Sequence, residues 1–132
     1  MTIKKIIKKL VPKSAINAYH LCVAFLSALV YGFPSRKIKV IGVTGTNGKS
    51  TVINISSKLL EKGGFKVAAL TSIMFKIGDR EEENKLKMTM PGRFVINKFL
   101  REAVSAKCDI AIVETTSEGV VQNRHRFIDF KT

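Results

Sequence analysis

Eight consecutive residues, Thr44-Gly45-Thr46-Asn47-Gly48-Lys49-Ser50-Thr51, carry the residue types that bind a polyphosphate. Gly45 and Gly48 allow backbone dihedrals and a close approach that a Cβ would block. Loop N–H groups and the positive end of a following helix then face phosphate oxygens. Lys49 supplies a point charge for the β- and γ-phosphates, and Ser50 a hydroxyl for Mg²⁺. The general G-x-x-x-x-G-K-[ST] spacing requires glycine at the position of Val43; the glycines here are Gly42, Gly45 and Gly48, so the loop is a variant. A glycine turn with no ligand ahead of a helix is the alternative. The second candidate is Glu114, which closes the apolar run Asp109-Ile110-Ala111-Ile112-Val113. A carboxylate at the C-terminal end of a buried strand occupies the edge where α/β sheets bind ligands, and it is a residue type that ligates Mg²⁺. A solvated strand-end glutamate is the alternative there.

These groups need a strand before the loop and a helix after it. The run Lys37-Ile38-Lys39-Val40-Ile41-Gly42-Val43 is β-rich, and Val52, Ile55, Ser56, Leu59 and Leu60 recur at helical spacing until Gly63-Gly64. The pattern predicts strands near 38–43, 66–71, 73–77, 85–88, 109–114 and 127–130, and helices near 15–31, 49–62 and 94–106. Such alternation implies an α/β fold: a three-layer, mostly parallel sheet of the phosphate-loop type, flanked by helices and joined by right-handed crossovers. Residues 73–88, around Gly78-Asp79, read as an inserted β-hairpin. Glu81-Glu82-Glu83 reads as a solvated hairpin or loop stretch rather than a metal cluster. Cys22 and Cys108 have no CxxC or His-spaced partner, which argues against a zinc site or disulfide framework and makes a reducing compartment the default; Cys108 is expected in the core.

The chain has 132 residues, the size of one small domain, with 23 basic residues against 10 acidic ones. Eight of the basic residues, and no acid, fall within residues 1–40, so the rest of the chain is only mildly basic. Residues 1–37 thus form a basic arm and residues 38–132 the domain proper. In the arm, Ile3, Ile6, Ile7 and Leu10 share one helical face opposite lysines, and Pro12 interrupts the pattern. Residues 15–33 are largely apolar but broken by Asn17, His20 and Ser27. A membrane span, a secretory signal, and a helix packed on the domain or lying on an anionic membrane surface all compete. The polar breaks and the cytosolic character of a nucleotide site favour the last, giving a cytoplasmic protein whose residues 1–33 either pack on the domain or make peripheral membrane contact. No aromatic interleaving or nucleic-acid-binding signature accompanies the lysines, so no specific nucleic-acid partner is expected.

Gly42-Val43-Thr44-Gly45-Thr46-Asn47-Gly48-Lys49-Ser50-Thr51 resembles the ATP loop of the Mur ligase family, which includes folylpolyglutamate synthase and cyanophycin synthetase relatives. The segment Glu114-Thr115-Thr116-Ser117-Glu118-Gly119-Val120-Val121-Gln122-Asn123-Arg124 is similar to the E-x-S-S-H-x-L-x-Q-x-R block of the branch that adds the third residue of the peptidoglycan stem peptide. Thr116, Glu118 and Val120 depart from that block, and Glu114, Ser117, Gln122 and Arg124 match it. Thr89-Met90-Pro91-Gly92 is similar to the family's T-T-P loop. The resemblance implies an ATP-dependent amide ligase that works through an acyl phosphate. Gly45, Thr46, Asn47, Gly48, Lys49, Ser50 and Thr51 would bind ATP; Lys49 and Glu114 would act in catalysis; Ser50 and Glu114 would hold Mg²⁺. Thr89, Ser117, Gln122 and Arg124 would contact a nucleotide-sugar peptide, to which an amino acid is joined. It covers residues 38–130, the first part of the family's central domain; a partner chain or further segment would supply the family's downstream groups. A stand-alone membrane-associated ATP-binding module and another phosphate-loop NTPase or kinase are the competing readings.

Overall fold

Alternation within two short apolar runs decides the architecture. In a strand, successive side chains point to opposite faces. Val67 and Ala69, with Ile110 and Ile112, therefore share one face of a sheet, while Ala68, Leu70, Ala111 and Val113 share the other. The computed structural model, which describes residues 3–83, 92–116, 128 and 130, bears this out. Its elements in chain order are α1 (Ile3–Leu10), α2 (Lys13–Val30), a 3-10 turn (Pro34–Arg36), β1 (Lys39–Val43), α3 (Lys49–Lys62), β2 (Val67–Leu70), β3 (Met74–Ile77), β4 (Arg80–Glu83), α4 (Arg93–Ser105) and β5 (Ile110–Glu114). The strands form one sheet in the order β1-β5-β2-β3-β4. Helix α3 covers the face carrying Val67, Ala69, Ile110 and Ile112 through buried Ile53. Helix α4 covers the other through Ile96, Phe99, Leu100 and Ala103. Two apolar cores thus flank the sheet, giving three layers.

The sheet is mixed rather than mostly parallel. β1, β5 and β2 run parallel, whereas β3 pairs antiparallel with β2 and β4 antiparallel with β3. The cause lies in connection length. A parallel return needs a crossover of a dozen residues or more, and β2 and β3 are joined by a tight turn in which Thr71 N donates to Met74 O at 2.9 Å. The hairpin forms around Gly78-Asp79 with β4 as its second strand, and the strand expected at 85–88 lies outside the described residues. Gly78 takes φ +59°, so the chain reverses within two residues and pairing resumes at once between Ile77 and Arg80. Glu81, Glu82 and Glu83 are therefore strand residues, all exposed. Phe130, in the region expected as a last strand, forms a single parallel bridge to Val40.

Helix α3 turns a different face to the sheet from the one its apolar spacing suggests. Val52, Ile55 and Leu59 are 50%, 55% and 65% exposed, while Ile53 and Ser57 are buried. Helix α2 lies outside α4, with Ala24, Ser27 and Ala28 buried against it. Asn97 Nδ2 donates to Ser27 Oγ at 2.8 Å within this contact, and Arg93 meets His20.

Candidate functional site

The loop between β1 and α3 leaves the sheet at its C-terminal edge. Gly48 caps α3 with φ +77°, a left-handed conformation that any Cβ strains, and its carbonyl accepts the first helical bond from Val52 N at 2.9 Å. Gly45, at φ +148°, opens the loop. Gly45, Thr46, Asn47, Gly48 and Thr51 are exposed, so their polar groups and the N-terminus of α3 face outward. Lys49 Nζ donates to Gly45 O at 2.8 Å, which folds the ammonium back over the loop. No acidic residue lies in the first turn of α3 to compete for an anion there.

Strand parity then carries Glu114 to the same place. It shares a face with Ile110 and Ile112, the side of the sheet that α3 covers, and it pairs in register with Val43, the last residue before the loop. Thr115 N and Thr115 Oγ1 both donate to Val43 O, at 2.8 and 3.2 Å, tying the two strand ends together. Glu114 Oε2 accepts from Ser50 Oγ at 3.1 Å and from Ser72 N at 2.8 Å. Ser72 Oγ lies 3.1 Å from Ser50 Oγ. The carboxylate is only 3% exposed, and among the described residues the ion pairs are Lys76–Glu61, Arg80–Glu82 and Arg80–Glu102, none of them to Glu114. A carboxylate held out of water by neutral donors alone is costly, and a cation offsets that cost.

Three connections thus meet at one edge: β1–α3 brings Lys49 and Ser50, β2–β3 brings Ser72, and β5 brings Glu114. Ser50 also lines a cleft of about 380 Å³ bounded by Asn54, Ser57, Thr71 and Lys76. The expected Ser50–Glu114 pair is therefore assembled. Ser72 was not anticipated. Its signal is positional, since a Thr-Ser pair follows the buried run Val67-Ala68-Ala69-Leu70 at the ligand-binding edge. Thr71 builds that turn, its Oγ1 accepting from Ile73 N and Met74 N at 3.2 and 3.0 Å. Thr89, Ser117, Gln122 and Arg124 lie outside the described residues. Among the described residues no three His, Cys, Asp or Glu side chains converge as a metal cage. A hydroxyl beside one carboxylate suits an ion that keeps most of its shell for water and phosphate oxygens, as Mg²⁺ does.

Residues 43–132 match the family model described as the Mur ligase middle domain. The chain belongs to the Mur ligase family. Mur ligase relatives include a UDP-N-acetylmuramyl-tripeptide synthetase of Roseiflexus sp. (strain RS-1), 34% identical over 110 residues, covering 83% of this chain and 22% of that protein. A UDP-N-acetylmuramoyl-L-alanyl-D-glutamate--2,6-diaminopimelate ligase of Clostridium botulinum is 36% identical over 108 residues, 82% of this chain and 22% of the ligase. A UDP-N-acetylmuramyl-tripeptide synthetase of Borrelia garinii subsp. bavariensis is 38% identical over 104 residues, 78% of this chain and 20% of the synthetase. The chain spans about a fifth of the length of these Mur ligases.

Proposed function

We propose that these residues form the ATP- and Mg²⁺-binding part of an amide ligase of peptidoglycan precursor synthesis, acting in the cytoplasm. The observation that carries this reading is the convergence of Ser50 Oγ and Ser72 N on the buried Glu114 carboxylate, directly beside the Lys49 loop. In the reaction, a carboxylate oxygen of a nucleotide-sugar peptide attacks the γ-phosphorus of ATP. The bond from that phosphorus to the bridging oxygen breaks, leaving ADP and an acyl phosphate. The amine of an amino acid then attacks the acyl carbon, inorganic phosphate leaves, and the amine loses a proton as the amide forms.

Each residue has a physical task in that sequence. The loop N–H groups and the N-terminus of α3 hold the phosphates by hydrogen bonds and dipole. Lys49, released from Gly45 O, places its charge on the transferring phosphoryl oxygens. Ser50 and Glu114 would hold Mg²⁺, which neutralises phosphate charge as it is transferred. Ser72 N orients Glu114 by bonding one carboxylate oxygen. Thr89, Ser117, Gln122 and Arg124 are proposed to contact the nucleotide-sugar peptide.

The test is calorimetric titration of Mg-ATP into the wild-type chain and Lys49→Ala. Loss of binding in the variant, with its far-UV circular dichroism and thermal midpoint unchanged, is the expected result. Undiminished affinity in a folded Lys49→Ala chain would refute the assignment of the loop.

A further inference from the structure

The first two helices present apolar surface that the rest of the described fold leaves uncovered. In α1, Ile3, Ile6, Ile7 and Leu10 recur at i, i+3, i+4 and i+7 and are 75%, 43%, 54% and 78% exposed. In α2 the face carrying Ala24, Ser27 and Ala28 is spent on α4, and the opposite stripe of Tyr19, Cys22, Leu26, Leu29 and Val30 faces outward. Those positions fall on one side of an α-helix, about half a turn from the docked side. Lys4, Lys5, Lys8, Lys9 and Lys13 lie along the same stretch, and residues 1–40 contain no acid.

Charge decides among the surfaces that could cover this face. A second copy of the chain would bring lysines against lysines, which like-charge repulsion opposes. A transmembrane course for α2 meets its length and composition but would break the buried Asn97–Ser27 bond and strip α4 of its cover. An anionic bilayer satisfies both features at once, since it takes exposed apolar side chains below the headgroups and lysines among them. We propose that α1 and the outward stripe of α2 form an interfacial anchor that lays the domain on an anionic membrane surface. The anchor is independent of the nucleotide site, because its residues and those of the Lys49 loop sit on different elements.

The experiment is co-sedimentation of the full chain with vesicles of phosphatidylcholine alone and of phosphatidylcholine with phosphatidylglycerol at 3:1. Binding to the mixed vesicles, weakened by raised salt and reduced roughly tenfold or more in an Ile6→Glu/Ile7→Glu chain, is expected. Both isoleucines are exposed, so the variant keeps its fold, and its Mg-ATP affinity should equal that of the wild type. Absence of binding to mixed vesicles, equal partition into both vesicle types, or undiminished binding by the variant would each overturn the anchor. So would a concentration-dependent dimer, in sedimentation velocity, that the same substitutions abolish. Failure of the nucleotide reading would instead show as lost Mg-ATP binding in wild type and variant alike.

Discussion

Glu114 owes its position to counting. Two residues beyond Ile112 and four beyond Ile110, it must face α3, and its register opposite Val43 sets it beside the loop. That much follows from a sequence in which a glutamate closes an apolar strand. Ser72 does not, because its part is played by a backbone N–H whose direction depends on the Thr71–Met74 turn, and turn geometry is not written in side-chain type. Asp109 shows the other side of the same logic. It sits at the start of β5, where its carboxylate accepts from Lys66 N at 2.8 Å, so it joins strand starts and stands away from the site. Cys108 is buried as expected, and burial pushes its thiol pKa up, with nearby Lys66 opposing. The native chain therefore holds this proton to higher pH than the unfolded chain. Its contribution to stability is intact below the ordinary thiol range, near pH 8.5, and declines as pH rises through the raised native value. Urea midpoints of wild type and Cys108→Ala, compared from about pH 7 to about pH 10, should converge as pH rises. A constant difference would show that the thiol does not titrate differently on folding.

At the scale of elements, the rotation of α3 is the clearest case of a site overriding a pattern. Its most regular apolar stripe, Val52-Ile55-Leu59, points to solvent, and the buried side runs through Ser50, Ile53, Ser57 and Leu60 at i, i+3, i+7 and i+10. The helix cannot bury the first stripe and still aim Ser50 at Glu114. Periodicity therefore located the helix but not its inward face, because the constraint comes from a residue on another strand. β1 carries a comparable constraint. A Cβ at Gly42 would stand 3.1 Å from both Cδ1 and Cε1 of Phe130, whose ring lies over that strand. Gly42→Val should push the ring aside and cost about 1–3 kcal/mol, read as a lowered urea midpoint. An unchanged or raised midpoint would mean that the ring yields freely and that the close approach has no structural weight.

Over the whole molecule, the sequence made the α/β class, the three layers and the strand–loop–helix unit around Lys49 legible, because each rests on local period and on residue type. Sheet composition was less so: parallel or antiparallel pairing depends on the length of a connection, and the tight Thr71–Met74 turn reverses β3 and makes both of its pairings antiparallel. The resulting edge strand β4 consists of Arg80, Glu81, Glu82 and Glu83, all exposed, and such charge discourages pairing with another chain. What the architecture achieves is convergence, since three connections separated in sequence deliver Ser50, Ser72 and Glu114 to one sheet edge. The proposed role of this edge is to bind ATP through a metal held at Glu114. It is tested most directly by calorimetric titration of ATP with Mg²⁺ and with EDTA, into wild type and into Glu114→Gln, which keeps an acceptor for Ser50 and Ser72 but loses the charge. Removing the metal should weaken wild-type binding roughly tenfold, ~1.4 kcal/mol, and Glu114→Gln should show little further dependence on Mg²⁺. Equal metal dependence in wild type and Glu114→Gln would contradict it.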